Sequence, residues 1–549
     1  MEYRRLAAAL DLRPLQRFAC LHPDLLLCGS ITLLAAVLRL WALGSIPAGI
    51  HGDEAQVGLD ARRVLLEGWI GPYTWSALGQ PAGHAYLTAP AIAIFGSNAW
   101  AVRLPLALTG IAAVPLAYVL FRMLSSRVPA GFGASLLAVS LWHLHLSRVA
   151  HWPISYPTVE LAVLTLWLCA TRTGSRPWFA ATGAVLGLGL YTYNIYPVFV
   201  LGFSIWVAAY TLLYKRGANL KVWSRKVALA GGVSFVVGLP LFAFVATHTH
   251  DYFAHYDEYY DRYSVLRSYR FQHGTLLDKA DVLKDQVVRF AGAYIWEGVP
   301  DRVDGAAPDR RPIIDPLTLA LFALGLLTVV RRWRAPSSLL CLSLFAVLPL
   351  AGVLQTNATY RATLGLAPFV AFLAAAPLAI LWSEAATLAG KLRPALRAVL
   401  CLAVVLIAAA NLQTYFGSWA GSRLFDTVYG PDFTEAVQYV DALPNKPYIY
   451  LLSDSFSIDH ETRLFLAPKL LGEDRSFEFR GERDLSFDRS RAGVAVLMDA
   501  YVQDNTLQTL QEMYRSGEAF TRYRGGRIAF IVYTLPPPIR LTPPSGAKP

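Results

Sequence analysis

The chain alternates between long apolar runs and short basic or polar stretches. Windows at 25–43, 227–246, 316–330 and 395–410 approach the roughly 20 apolar residues that cross about 30 Å of hydrocarbon. This pattern predicts an α-helical polytopic membrane protein with about eleven spans. They fall at 25–43, 100–121, 129–146, 154–170, 178–193, 195–213, 227–246, 314–330, 337–354, 363–382 and 394–413. The segment 83–96 decides the parity. As a helix it would reach only about 21 Å at 1.5 Å per residue, so it is read as an interfacial helix. No internal repeat of one half in the other is evident, which disfavours a secondary transporter.

After the last span the pattern changes. Short apolar runs at 448–452, 494–498 and 528–533 read as strands, and 432–443 and 506–514 as helices, which predicts a small soluble α/β domain. It carries neither GxGxxG nor a Walker-type loop, so nucleotide binding has no support. The expected organisation is a cytoplasmic N-terminus over 1–24, a transmembrane domain over 25–414, an α/β domain over 415–535 and a disordered proline-rich tail over 536–549.

Composition agrees with the membrane class: 55% of residues are hydrophobic and 16% charged, and the mean hydropathy is +0.40. The net charge of +11 does not indicate nucleic acid, because the basic residues cluster between apolar runs. Arg4, Arg5, Arg13 and Arg17 come first, then Arg122 and Arg127, Arg172 and Arg176, and Lys215 to Lys226. Arg331, Arg332 and Arg334 follow, then Lys391, Arg393 and Arg397. All fall on one side, which the positive-inside rule makes cytoplasmic. The loops 44–99 and 247–311 and the C-terminal domain are then extracytoplasmic, at a plasma (inner) membrane. The cysteines Cys20, Cys28, Cys169, Cys341 and Cys401 lie in or beside apolar segments without CxxC spacing, so neither a disulfide framework nor a cysteine metal site is expected.

The first of these loops carries candidate chemistry. Gly49-Ile50-His51-Gly52-Asp53-Glu54 is followed by an amphipathic helix with Val57, Ala61, Val64, Leu65 and Gly68 on one face. Such a helix rests along the membrane surface and brings the acidic pair to the boundary of lipid and water. Asp53 with Gln56 three positions on also resembles an N-terminal capping box. A second short helix after Gln80-Pro81 comes next, then Phe95-Gly96 and Ala101-Val102-Arg103-Leu104-Pro105.

That ordered set, over roughly 25–148, resembles the C-type polyprenyl-phosphate glycosyltransferases, which include protein O-mannosyltransferases and lipid A aminoarabinose transferases. The resemblance implies that fold, with Asp53 as catalytic carboxylate and Glu54 as its supporting neighbour. Two departures stand out. Gly79-Gln80-Pro81-Ala82 replaces the Lys-Pro-Pro or His-Pro-Pro of those families, and His151 stands where the aminoarabinose transferases carry a second aspartate.

Arginine on the extracytoplasmic side departs from the charge rule, so Arg103, Arg148 and Arg361 are candidate ligands for the donor phosphate. The planar guanidinium binds phosphate oxygens bidentately; snorkelling to the head groups is the plainer reading. Tyr360-Arg361 followed by Pro368 resembles the Arg-containing late span of the superfamily. His51, His84, His151 and Tyr360 are candidate substrate contacts. His143 and His145 lie near the same face, and the five histidines read as hydrogen-bonding groups rather than a zinc site. No cofactor is expected, and a divalent metal is without support. The tyrosines Tyr252, Tyr256, Tyr259, Tyr260 and Tyr263, mixed with Asp257, Glu258, Asp261 and Arg262, read as an interfacial belt or a sugar-contacting surface.

Together these features predict an inverting glycosyltransferase, a hexosyl- or pentosyltransferase. It would move a sugar from a polyprenyl-phosphate carrier to a hydroxyl acceptor on protein, lipid or polysaccharide. A transporter or flippase for a lipid-linked glycan is the alternative, disfavoured because the span centres are nearly devoid of ionisable residues. A scaffold using the α/β domain as a binding module is a third reading.

Overall fold

The computed structural model describes residues 22–76, 79–253, 264–296, 311–355, 360–388, 390–488 and 490–535. Arg4, Arg5, Arg13, Arg17 and Cys20 lie outside the described residues. So do the tyrosine-rich segment from Tyr256 to Tyr263 and the tail 536–549.

The described chain runs through α1 (Pro23–Leu40), α2 (Gly52–Glu67), α3 (Gly83–Phe95), α4 (Ala99–Leu124), α5 (Arg127–Val139), α6 (Leu141–Arg148) and α7 (Ser155–Thr173). It continues through α8 (Arg176–Leu188), α9 (Tyr196–Tyr214), α10 (Ala218–Thr247), α11 (Leu276–Ile295), α12 (Pro316–Arg331), α13 (Pro336–Val347), α14 (Ala367–Glu384) and α15 (Leu392–Leu412). Among the described residues eight helices are long and apolar enough to cross a membrane, and α3, α5 and α12 are shorter apolar helices. Only 17% of the apolar windows of α1, α10 and α15 is buried in the protein. Their outward Leu33, Val236 and Val405 are more than half exposed and need a hydrocarbon solvent. This is a polytopic membrane protein.

Two helices differ from the sequence reading. The run 129–146 breaks at Ser140, whose ψ of 123° leaves the helical ladder; α6 then follows with all eight residues buried. The loop 247–311 contains α11, started by a Thr275–Asp278 capping box, a helix the apolar runs do not announce. Glu160 on α7 is wholly buried, and neither carboxylate oxygen has a hydrogen-bond partner among the described residues.

The C-terminal region, by contrast, is a five-stranded sheet in the order β4-β3-β5-β7-β6, with β3 (Tyr448–Leu452), β4 (Gly472–Asp474), β5 (Gly493–Leu497), β6 (Ala519–Arg524) and β7 (Arg527–Thr534). The first two strands, β1 (Tyr73–Thr74) and β2 (Gln80–Pro81), form a small antiparallel pair in the first loop. Strand β3 is parallel to both β4 and β5, while β7 is antiparallel to β5 and β6. Gly525 and Gly526 close the β6–β7 hairpin with φ of 55° and 78°, the left-handed values that a two-residue turn of this hand requires. Alternate strand residues point to opposite faces. Ile449, Leu451, Val494 and Val496 pack on α17 (Pro431–Ala442). Tyr450, Leu452, Ala495 and Leu497 pack against Leu510 and Tyr514, at the helix α19 (Thr506–Met513). The expected small α/β domain is present at the C-terminus.

The sheet region holds the first loop directly. Ile50 N donates to Thr434 Oγ1 at 3.1 Å, and Thr462 Oγ1 donates to the Ile50 carbonyl at 3.1 Å. Arg62 Nη1 donates to the Leu464 carbonyl on α18 (Glu461–Leu466). Gly49, at φ 79°, lies under the Tyr429 carbonyl and Pro431, where any side chain would collide with backbone.

Candidate active site

Helix α2 begins immediately after the segment pinned at Ile50. His51 is its N-cap: its Nδ1 accepts from Asp53 N at 3.0 Å, and Glu54 Oε2 accepts from His51 N at 3.1 Å. This reciprocal pair is the capping box. The box suggested by Asp53 and Gln56 is not formed, since Gln56 Nε2 donates to Ser76 Oγ. Capping by its neighbours leaves the Asp53 carboxylate uncommitted in the first turn, where the helix dipole favours negative charge.

Three side chains face that carboxylate, two of them from distant segments. Arg361 Nη1 lies 3.6 Å from Asp53 Oδ2, and His151 Nε2 and His51 Nδ1 each lie 3.8 Å away. Among the described residues no donor comes within hydrogen-bond distance of either Asp53 side-chain oxygen, and the side chain is 29% exposed while His151 is 2% exposed. Arg361 Nη1 is 3.1 Å from His151 Nδ1. A guanidinium can only donate, so Nδ1 accepts and the neutral imidazole carries its proton on Nε2, toward Asp53.

Burial first, and then the charge of Arg361, push His151 well below the ordinary histidine value. The unfolded ring protonates near pH 6.5 and the folded ring does not. Its stabilising contribution is therefore complete above pH 6.5 and is lost as pH falls below that toward the depressed folded value. His151→Gln is expected to flatten the fall in melting temperature between pH 7.5 and pH 5.5, as read by thermal unfolding. A wild-type slope in the variant would contradict this.

Glu54, expected as the supporting neighbour of Asp53, is fully engaged by protein donors. Its Oε1 accepts from Arg103 Nε at 2.8 Å and Ala150 N at 2.7 Å, and its Oε2 from Arg103 Nη2 at 2.8 Å in addition to His51 N. The carboxylate is wholly buried with four accepted bonds. Burial pulls its pKa up, but the Arg103 charge and these donors outweigh burial and leave it below the usual glutamate value. Through Ala150 it also sets the loop that carries His151. Glu54 positions the site and has no lone pair left for substrate.

Two of the three arginines expected to bind phosphate are also committed elsewhere. All five N–H groups of Arg103 are used: Glu54 takes two, and the carbonyls of Leu43, Pro47 and Gly49 take the rest. Arg148 donates to the carbonyls of Leu38, Arg39, Trp41, Ala42 and Ile46, at the end of α1 and in the turn that follows it. Both hold backbone in place of the expected phosphate. Arg361 is the member of the set that reaches Asp53. Arg39, which did not stand out in the sequence, is buried on α1 and donates to the Ala138 carbonyl and His143 Nδ1.

Two expected substrate contacts are also buried. His84 is 2% exposed, with Nδ1 on the Pro81 carbonyl and Nε2 3.7 Å from Asp60. Tyr360 is wholly buried and donates to the Ala293 carbonyl. They shape the surroundings of the site instead. His84 lies against Trp152, which stacks on His151. On its other side Pro81 borders an apolar groove of about 530 Å³ between α8, α9 and α10, with Tyr193 and Asn194 in its lining. A second cavity, of about 910 Å³, opens from His51 and Gly52 toward the sheet region. For a metal, the donor atoms of His51, Asp53 and His151 all lie within 4.8 Å of one another. Arg361 already places a cation on that side of the group.

Comparisons with known proteins now bear on this geometry. Residues 79–244 match the family described as dolichyl-phosphate-mannose-protein mannosyltransferase; the stretch holds Arg103 and His151 but begins after Asp53. YkcB of Bacillus subtilis (strain 168), named as a candidate mannosyltransferase, is 26% identical over 150 residues, which are 27% of this chain and 20% of the relative. Among solved structures, ArnT from Cupriavidus metallidurans in the apo state aligns with TM-score 0.56 and 16% identity over 92% of this chain and 97% of that one. ArnT bound to undecaprenyl phosphate aligns with TM-score 0.54 and 17% identity, over 92% and 98% of the two chains. The oligosaccharyltransferase AglB from Archaeoglobus fulgidus, in complex with an inhibitory peptide and a dolichol-phosphate, gives TM-score 0.51 and 12% identity over 93% and 74%. An apolar helical bundle, a loop that begins with a capped acidic helix and a sheet domain clamped upon it thus assemble into one architecture: the chain has the fold of the C-type glycosyltransferases.

Proposed function

We propose that the protein is an inverting glycosyltransferase that moves a sugar from a polyprenyl-phosphate carrier to a hydroxyl acceptor. Its site would lie on the extracytoplasmic face of the plasma (inner) membrane, the side given by the distribution of basic residues. The observation that carries this reading is the Asp53 carboxylate, open at a helix start and faced by Arg361 and His151. In a single displacement Asp53 takes the proton of the acceptor hydroxyl, and that oxygen bonds to the anomeric carbon. The bond from this carbon to the phosphate oxygen breaks, and the polyprenyl phosphate leaves with the electron pair. Arg361 stabilises the charge that grows on the leaving oxygen, and the neutral His151 holds Arg361 and Asp53 at a fixed spacing. The groove bordered by Pro81 suits an isoprenoid chain, being mostly apolar with Asn194, Ser204 and Ser234 among its few polar lining residues.

Lipid extracted from the purified protein and analysed by mass spectrometry is expected to contain a polyprenyl phosphate or its glycoside. Bulk phospholipid alone, with no release of lipid phosphate from an added polyprenyl-phosphate sugar, would overturn the reading. Because Arg361 supplies the positive charge, turnover after chelation with EDTA is expected to stay within about twofold of the untreated rate. A tenfold loss restored by a divalent ion would instead make Asp53 a metal ligand.

A further inference from the structure

The cavity that opens from His51 and Gly52 is walled on its far side by the sheet domain. Its floor is built from Ser455 and Phe456, just beyond β3, and from Met498 and Asp499, just beyond β5. These strands are parallel, and the crevice outside the carboxyl ends of parallel strands is where open α/β sheets take ligands. Asp499 holds a left-handed backbone at φ 52°, a strained conformation for a residue with a side chain. Its Oδ2 accepts from Ser453 Oγ at 2.5 Å and from the backbone N of Asp454 and Ser455 at 3.1 Å each, which fixes the loop.

The polar lining narrows what can bind. Asp432 is paired with Arg527 at 2.7 Å and with Arg524 at 2.8 Å, so Arg527 lines the cavity with its charge met. Asp426, on the helix α16 (Arg423–Tyr429), is half-buried and has no hydrogen-bond or ion-pair partner for its carboxylate among the described residues. Burial raises its carboxyl above the ordinary aspartate value. Three carboxylates, Asp426, Asp432 and Asp499, against Arg423 and Arg527 give no surplus of positive charge for an anionic acceptor. The sheet edges β4 and β6 are not part of the lining, so an extended peptide has no strand to pair with here. An open carboxylate, backbone-rich loops and the half-buried ring of Phe456 suit alternating hydroxyls and apolar C–H faces.

We propose that this cavity is the acceptor subsite and that the acceptor is a neutral carbohydrate, held by Asp426 and presented past His51 to Asp53. This rests on the transferase reading above. The test uses the full-length protein in detergent with undecaprenyl-phosphate [³H]mannose, offered neutral tetrasaccharides (maltotetraose, mannotetraose) in one reaction and a Ser/Thr-rich peptide in another. Label is expected in the tetrasaccharide. Asp426→Asn and, as a second variant, Gln503→Ala, which alters another residue of the cavity lining, are expected to raise the tetrasaccharide KM at least tenfold with less than a threefold fall in kcat. Glu512→Gln on the exposed face of α19 should leave both constants at wild-type values. Label entering the peptide and not the sugar, or an unmoved KM in both cavity variants, overturns the subsite. Release of lipid phosphate without any labelled tetrasaccharide also overturns it and leaves the transferase reading standing. No release with any acceptor overturns that reading and the subsite with it.

Discussion

Asp53→Asn is expected to lower kcat for sugar transfer by between about 10² and 10⁴, the range that general-base help contributes, without lowering the melting temperature by more than about 2 °C. The small stability effect follows from the geometry. The carboxylate is 29% exposed, accepts no hydrogen bond among the described residues, and stands outside the capping box that His51 and Glu54 close. The amide is isosteric but cannot take the acceptor's proton. Measured with a lipid-linked sugar in detergent, a variant within threefold of wild-type turnover would remove Asp53 from the chemistry.

Glu54→Gln is expected to act in the opposite way, on the fold first. The pair with Arg103 is wholly buried, and removing one partner of a buried pair typically costs about 3–5 kcal/mol because the other charge is left uncompensated. The amide would also present an N–H to a site where four donors converge. Thermal unfolding should show a drop of at least about 5 °C. Adding Arg103→Met to that variant should cost less than the sum of the two single changes, since the stranded charge is gone. Activity should fall too, because the Ala150 amide that positions His151 would lose its acceptor. A Glu54→Gln protein with unchanged melting temperature would contradict the assigned positioning role.

How much of this was legible in the sequence depended on how local each cause was. Long apolar runs fix the membrane class, and the short runs at 448–452, 494–498 and 528–533 announce three strands of the C-terminal sheet because their burial is encoded in their own side chains. Strands β4 and β6 carry no such run, as they sit at the sheet edges with half-exposed residues. The acidic pair after the first span was also legible, but the division of labour within it was not. Histidine is an uncommon N-cap, so the His51–Glu54 box gave no signal, whereas Asp53 with Gln56 matched a familiar spacing.

The arginines show the same limit more sharply. Arg103, Arg148 and Arg361 look alike in sequence, each beside a span end. The partners that separate them are carbonyls of residues 38 to 49 for the first two and a carboxylate and an imidazole from two other segments for the third. No local pattern encodes contacts across about 50 to 300 residues. The clamp of Thr434 and Thr462 on Ile50 was invisible for the same reason, and it makes the C-terminal domain part of the site's support.

The most direct measurement is a cryo-EM structure of the Asp53→Asn protein with a non-hydrolysable polyprenyl-phosphonate sugar. The phosphonate oxygens are expected within about 3 Å of the Arg361 guanidinium, at charge-assisted hydrogen-bond distance, with the anomeric carbon facing position 53. A phosphonate bound elsewhere in the bundle, with Arg361 still turned to His151 and the sugar remote from position 53, would contradict it.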